Sequence, residues 1–305
     1  MNLNPIIPIA FHNSFRLALN KEHRFPMEKY ELLPQQLILE GTNKIEDFFE
    51  PKPALLQHVL RVHDKNYVNR LLNLTLTKNE IRSIGFPLSN DLISREFLIA
   101  GGTIYGAEKA LKSGIAMNVA GGTHHAYPNK GEAFCLLNDQ AIAAQYLLDS
   151  GKVKKILILD LDVHQGNGTA VIFKNNSNVF TCSVHGEKNY PFRKETSDFD
   201  LPLKDDCTDN IYLHHIKTIL PELYDKVKPD FIFYLCGVDV LKTDRLGRLS
   251  MTIAGCKKRD EIVLSFCKKN NIPVQCSMGG GYSREIKTII EAHANTFRVA
   301  KEIFT

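Results

Sequence analysis

Two periodicities alternate along the chain. Short apolar runs of strand type occupy residues 5–11, 115–121, 155–163, 178–185, 231–239 and 273–281. They carry almost no polar alternation. Strands buried on both faces look like this, which points to a parallel sheet with helices on each side. Between them, residues 27–40, 91–113, 138–150, 208–227, 252–271 and 283–304 carry helical periodicity; in 91–113 the apolar face includes Leu92, Phe97, Ile99 and Ile104. Turns such as DSGKVKK and KNNIPV separate helix from strand, as αβ connections require. No repeat, low-complexity tract or linker divides the chain. The pattern predicts one doubly wound α/β domain over residues 1–305, with a central, mostly parallel sheet of at least six strands flanked by helices.

Composition narrows the picture. At 305 residues and 44% hydrophobic, the chain can bury a large core. Charged residues make up 24% with both signs mixed, which excludes a disordered chain. No apolar run reaches the ~18–20 residues of a membrane helix, and the N-terminal segment lacks a basic n-region and a cleavage site. The net charge of +4 comes without a Lys/Arg cluster interleaved with aromatics, so no direct nucleic-acid binding is expected. Seven scattered cysteines with no C-x-x-C pair read as buried reduced thiols, and the expected location is the cytoplasm.

In open parallel sheets, ligands bind beyond the carboxyl ends of the strands. Five successive strand ends here carry chemistry: Gly121-Gly122-Thr123-His124-His125, Asp160 to Gly168, Ser183 to Gly186, Gly237-Val238-Asp239, and Gly279-Gly280-Gly281-Tyr282. In a strand, residues i and i+2 share a face. Asp162 and His164 can therefore grip one ion together, and Asp160 has the same parity. Asp239 from a neighbouring strand end would complete an Asp2His set with an open position, the pattern of a catalytic zinc site. Such donors also suit Fe(II) or Mn(II). A capping Asp beside a surface His would explain one polar residue at a strand end, not an Asp-x-Asp-x-His set.

His124 and His125 are adjacent and cannot share one face of a strand. On a loop after a double glycine both can turn into a pocket, where imidazoles serve as general acid and base. The triple glycine lets backbone, Gly280 included, approach a ligand closely and projects Tyr282, whose phenol can donate to a developing oxyanion. A packed loop aromatic is the plainer alternative for Tyr282. Neither a G-x-G-x-x-G nor a Walker A phosphate cradle is present, nor a G-x-S-x-G nucleophile elbow.

At these residues the chain resembles a known family. GGTHHA, DLDVHQGNG, GVDVLKTDRLG and GGGY, in this order and spacing, look like the arginase-fold zinc-dependent deacetylases: histone deacetylases, acetoin-utilisation proteins and acetylpolyamine amidohydrolases. EAFCLLND at 132–139 resembles the family's Phe-Cys-x-x-Asn-Asp segment. Gln165-Gly166-Asn167-Gly168 stands where the family usually has His-Gly-Asp-Gly. With HRFPMEKY at 23–30 and GFPLS at 85–89, this is similar to class IV histone deacetylases and their bacterial relatives.

The resemblance implies that Asp162, His164 and Asp239 bind zinc and that His124 and His125 flank the attacking water. Asp160 would orient His124, and Asn167 takes the place of the usual Asp behind His125. Tyr282 would hydrogen-bond the substrate carbonyl. Phe134 would form one wall of a narrow acyl-lysine tunnel, and an aromatic of the 190–192 stretch, Tyr190 or Phe192, the other. Main-chain oxygens of Asp160, Asp162 and His164, with Ser183 and Val184, resemble the family's structural potassium site. The implied reaction is zinc-assisted attack of water on the amide of an acyl-lysine protein or peptide, or of a small acylated amine. His125 is the base, Tyr282 meets the oxyanion, and a protonated histidine serves the leaving amine.

Two departures stand out. Asn167 lacks the charge an Asp would carry, so His125 should be harder to protonate. Gly85-Phe86-Pro87 replaces the Gly-Tyr-Asp of many class I members, and with it the Asp that anchors the substrate backbone. The competing readings are a ureohydrolase of the arginase or agmatinase type and a non-catalytic acyl-lysine-binding module. The first uses a two-metal Asp-x-His-x-Asp motif, whereas the order here is Asp-x-Asp-x-His. The second calls for a broken ligand set or a lost tyrosine.

Overall fold

The computed structural model describes residues 6–20 and 22–305. Among the described residues, eight short strands form one sheet: β1 (Ile9–Ala10), β2 (Phe48–Phe49), β3 (Ile115–Asn118), β4 (Ile156–Asp160), β5 (Val179–Gly186), β6 (Phe199–Leu203), β7 (Phe231–Leu235) and β8 (Val274–Ser277). Their order is β2-β1-β3-β8-β7-β4-β5-β6 and every pairing is parallel. The apolar runs at β3, β4, β7 and β8 are buried at every position, as expected for a sheet covered on both faces.

Helices α1 (Lys29–Leu39), α2 (Leu56–Val59), α3 (Lys65–Leu72), α4 (Lys78–Ile84), α5 (Asn90–Ser113), α6 (Asp139–Asp149), α7 (Asn167–Phe173), α8 (Asp209–Val227), α9 (Ile253–Lys269) and α10 (Ile286–Phe304) surround the sheet. The ends of α5 show why the periodic segments stop where they do. Ser89 accepts the Leu92 N–H at 3.1 Å at one end, and Gly114 adopts the left-handed φ of +82° at the other. Among the described residues, no helix is long and apolar enough to cross a membrane. All seven cysteines are buried and unpaired.

The structure departs from the sequence pattern in three ways. Strands β2 and β6 were not expected. Both lie at sheet edges and are largely half-exposed, so they lack the continuous apolar signal of the central strands. The short helices α2, α3 and α4 were also unforeseen, although Thr77 and Glu80 form a reciprocal capping box at the start of α4. Several expected strands also run too far. The 155–163, 231–239 and 273–281 runs leave the ladder after Asp160, Leu235 and Ser277. Pro5, at the start of the 5–11 run, lies outside the described residues.

These early exits matter for the site. Strands β3, β8, β7 and β4 are neighbours at the centre of the sheet, and the last two in sequence fill the gap between the other two. The residues that leave their carboxyl ends form four adjacent loops.

Candidate metal centre and active site

The loop after β4 is held by side chain to backbone bonds, not by strand pairing. The Asp162 N–H donates to Asp160 Oδ1 at 3.1 Å, and the His164 N–H donates to Asp162 Oδ1 at 3.0 Å. The i, i+2 spacing expected to act through strand parity therefore acts through successive Asx-type turns. Asp160, the last residue of β4, turns away from the cluster. Its Oδ2 lies 2.6 Å from His124 Nδ1.

Asp162, His164 and Asp239 each offer one donor atom, and the three atoms lie within 4.8 Å of one another. Backbone N–H groups hold both carboxylates, and one oxygen of each also faces the His164 ring. Asp162 Oδ2 accepts the Gly280 N–H at 2.7 Å, and Asp239 Oδ1 accepts the Val163 N–H at 2.9 Å. Asp162 Oδ1 and Asp239 Oδ2 each sit 3.1 Å from His164 Nδ1. A Cβ at Gly280 would run into the Asp239 carboxylate, so only glycine fits against this cluster.

The electrostatics show what the cluster lacks. Burial and the neighbouring Asp162 push Asp239 up to about 7. Burial works against a charge on His164, yet its bonds to Asp162 and Asp239 outweigh this and raise the imidazole to about 10. Two desolvated carboxylates thus share one imidazolium proton. A divalent cation would satisfy both carboxylates at once and leave His164 as a neutral ligand. Two oxygens and one imidazole nitrogen are a donor set that zinc accepts. The residues present fit such an ion.

The His124 and His125 rings lie with centroids 4.1 Å apart, tilted at 47° to each other. Their loop is pinned by buried Asp139 at the start of α6, which accepts from Thr123 N and Oγ1 at 2.8 and 2.7 Å. The two imidazoles have different partners. Burial opposes charge on His124, but Asp160 and Asp162 prevail and lift it to about 8. His125 Nδ1 lies 2.6 Å from Asn167 Oδ1. Burial, with His124 and His164 nearby, drives His125 well below the ordinary imidazole value.

A cavity of about 40 Å³ is lined by both histidines, Asp162, His164, Phe134 and Tyr282, among others. The Tyr282 backbone is anchored by Asp244 and Arg245 at 2.6 and 2.9 Å. Burial, then Asp162 and Asp239, push its phenol well above the usual value, so it stays a proton donor. Phe134 packs 6.0 Å from the Tyr282 ring and sits at φ +68°, with Ala133 at φ +44°. Two consecutive non-glycine residues in the left-handed region mark a strained segment at a ligand site. Gly280 lines this cavity too.

The aromatics of the 190–192 stretch divide. The Tyr190 ring is 5.0 Å from His125, and its hydroxyl bonds Glu132 at 2.5 Å. Phe192 is 90% exposed and contributes only to the outer mouth. Asp160 and Ser183 are register partners on β4 and β5, and Val184 follows Ser183.

Three residues were missed from the sequence. Lys29 is buried on α1, with Nζ 3.1 Å from Gly279 O and 5.7 Å from the Tyr282 ring centre. Burial lowers it to about 8 despite Asp239 and Asp162. Buried Arg259 on α9 donates to the carbonyls of Gly237, Leu161 and Cys236 at 2.7, 3.3 and 3.3 Å. It ties two ligand-bearing loops together from below. Tyr127 stands behind Asn167, with its hydroxyl 3.0 Å from Asn167 Nδ2. Nothing in the local pattern distinguishes these three from ordinary surface or core residues.

An all-parallel α/β sheet with a buried polar cluster at the carboxyl ends of its central strands has the architecture of an α/β enzyme. Residues 23–297 match the histone deacetylase domain. The chain belongs to the histone deacetylase family, and this membership supports a deacetylase hydrolase activity.

The chain is 41% identical to an uncharacterized protein of Picosynechococcus sp., over 97% of this chain and 99% of that one. It is 30% identical to histone deacetylase clr6 of Schizosaccharomyces pombe, covering 86% of this chain and 68% of the relative. It is 27% identical to histone deacetylase 2 of Arabidopsis thaliana, covering 93% and 76%. Among solved structures, a histone deacetylase homologue complexed with SAHA superposes with a TM-score of 0.83 at 22% identity, over 97% of this chain and 84% of that one. The HDA15 HD domain gives a TM-score of 0.79 at 20% identity, over 96% and 90%. These superpositions match the sheet and helices found here.

Proposed function

We propose that the protein is a zinc-dependent amidohydrolase that removes acyl groups, acetyl foremost, from Nε-acyl-lysine. The observation that carries this reading is convergence: Asp162, His164, Asp239, His124, His125 and Tyr282 come from four loops, and all but Asp239 line the one cavity. Asp162, His164 and Asp239 hold the zinc, which when bound polarises an amide carbonyl and acidifies water.

This chain's side chains do the rest. His125, kept neutral by burial and by the neighbouring His124 and His164, accepts the proton of the attacking water at Nε2. Tyr282 donates its hydroxyl to the oxygen on which negative charge develops. His124, with Asp160 behind it, is the imidazole more readily protonated and supplies a proton to the leaving amine. Phe134 and Tyr190 exclude water beside the acyl-lysine stem, with Gly280 backbone against the acyl end. A potassium ion on main-chain oxygens of Asp160, Asp162 and His164, with Ser183 and Val184, and a class IV affiliation belong to the same reading.

Metal analysis together with a hydrolysis panel tests it. The expected result is about one zinc per chain and release of acetate from acetyl-lysine peptides, with the lysine amine left free in the peptide. Two manganese ions per chain with hydrolysis of guanidino compounds would favour a ureohydrolase instead. Binding of acyl-lysine without turnover would favour a non-catalytic module.

A further inference from the structure

Asn167 and Gln165 are the two departures from the His-Gly-Asp-Gly pattern, and the fold links them through a third residue. Gln165, 1% exposed, clamps the backbone of Glu195 in both directions. Its Oε1 accepts the Glu195 N–H at 2.9 Å, and its Nε2 donates to Glu195 O at 2.8 Å. So held, Glu195 presents Oε1 to the Tyr127 hydroxyl at 3.2 Å. Tyr127 in turn lies 3.0 Å from Asn167 Nδ2, and Asn167 Oδ1 lies 2.6 Å from His125 Nδ1.

The donors and acceptors along this chain leave one arrangement. A carboxylate only accepts, so the Tyr127 O–H points to Glu195. The Tyr127 oxygen then accepts from the Asn167 amide nitrogen. That orientation turns the Asn167 carbonyl oxygen to His125, whose Nδ1 must carry the proton. The bare nitrogen of His125 is Nε2, the atom left for the cavity. We propose that Glu195 and Tyr127 are positioning residues that fix the Asn167 amide and thereby the Nδ1–H tautomer of His125, replacing in relay the carboxylate that Asn167 lacks. Without Glu195, the Tyr127 hydroxyl can donate toward Asn167 and the amide can flip. Its nitrogen would then face His125 and drive the proton to Nε2, where the imidazole cannot act as base.

The inference rests on His125 as the base, and its test has a readout independent of turnover. Glu195 is half-buried on a loop, so Glu195→Ala should fold. It is expected to lower kcat by roughly 10-fold at unchanged KM and metal content. In an N167D background the same change should cost less than about 2-fold, because a carboxylate at 167 accepts from His125 without help. Nitrogen-15 NMR of labelled histidine should show His125 as the Nδ1–H tautomer in the wild type and a mixture in Glu195→Ala. Equal losses in both backgrounds, or an Nε2–H tautomer in the wild type, would overturn the proposal.

The mouth of the cavity is basic. Arg24, Lys188, Arg245 and Arg248 line it, all exposed, and no carboxylate lines it among the described residues. Lys188 and Arg248 share the single carboxylate of Asp205, at 3.5 and 3.0 Å. Arg24 rests over the Phe134 ring at 5.0 Å, and Arg245 donates to the carbonyls of Tyr282 and Arg24. Among the described residues, neither of these two guanidinium groups forms an ion pair with a carboxylate.

Building on the amidohydrolase reading, we infer that the mouth selects acyl-lysine in peptides flanked by acidic residues and disfavours Lys/Arg-rich peptides and acylated polyamines. Matched acetyl-lysine peptides with Glu, Gln or Lys flanks test this at low and high salt. The Glu-flanked peptide should exceed the Gln-flanked one by about 10-fold in kcat/KM, and the gap should close at ~0.5 M salt. Arg24→Glu should narrow the gap. Equal rates for all three peptides would overturn the inference while leaving the amidohydrolase reading intact. Hydrolysis of none would overturn both.

Discussion

The backbone N–H of Gly280 donates to Asp162 Oδ2 at 2.7 Å, which joins the loop after β8 to the loop after β4. A side chain at 280 would push into the Asp239 carboxylate on the other side. Gly280→Ala should therefore displace two ligands at once. The expected loss in zinc affinity is about 10- to 100-fold with the fold retained. Competition against a chromogenic chelator, with circular dichroism as control, measures it, and wild-type affinity would mean the ligands move freely.

Zinc removal should also lower stability. Without the ion, two buried carboxylates share one imidazolium. An ion that binds only the folded state at 100 times its Kd contributes ~2.7 kcal/mol. Dialysis against a chelator should lower the Tm, and added zinc should restore it. An unchanged Tm would show that the cluster does not bind the ion in solution.

Tyr282→Phe removes a single hydroxyl. The phenol lines the cavity, and its backbone is held independently by Asp244 and Arg245. Loss of one oxyanion donor costs about 10²–10³ in kcat, with little change in fold or metal content. Near wild-type kcat would make Tyr282 a packing aromatic.

Asn167→Asp places a charge 2.6 Å from His125 Nδ1, where a neutral amide oxygen stands now. A carboxylate favours the imidazolium and raises its pKa. The base acts only when neutral, so the acidic limb of kcat/KM should move to higher pH, by up to about one unit. An unmoved limb with activity retained would exclude His125 as the base.

Arg259 and Asp260 form a fully buried pair 2.9 Å apart, and Asp260 also accepts from Tyr234 and Thr296. Arg259→Met leaves that carboxylate without its cation and frees three carbonyls under the ligand loops. Breaking a buried pair from one side costs about 3–5 kcal/mol. Urea unfolding should show a loss of this size, together with weakened metal binding. A change under 1 kcal/mol would mean the pair is dispensable.

Much of the fold was legible in local pattern. The near-continuous apolar runs at β4 and β7 point to strands buried on both faces of a parallel sheet, and Ser89 and Gly114 bound α5 by chemistry internal to the segment. The residues of the candidate cluster were legible too. An Asp-x-Asp-x-His at a strand end, a His pair after two glycines, and a Tyr after three are each local departures from what a buried strand needs.

What the chain alone does not encode locally is adjacency. The sheet places β7 and β8 between β3 and β4, so Asp239 and Tyr282 reach residues more than 70 positions away. That order is decided by packing of helices across the whole sheet. The partition of roles within the site is likewise tertiary. Asp160 and Asp162 are two residues apart and of one type, yet one turns to His124 and the other to Gly280 and the ligand cluster. The partner of Tyr127 is a glutamate 68 residues away, held by a glutamine that reads locally as a polar loop residue. Hydrogen-bond direction across such distances exists only once the loops are folded together.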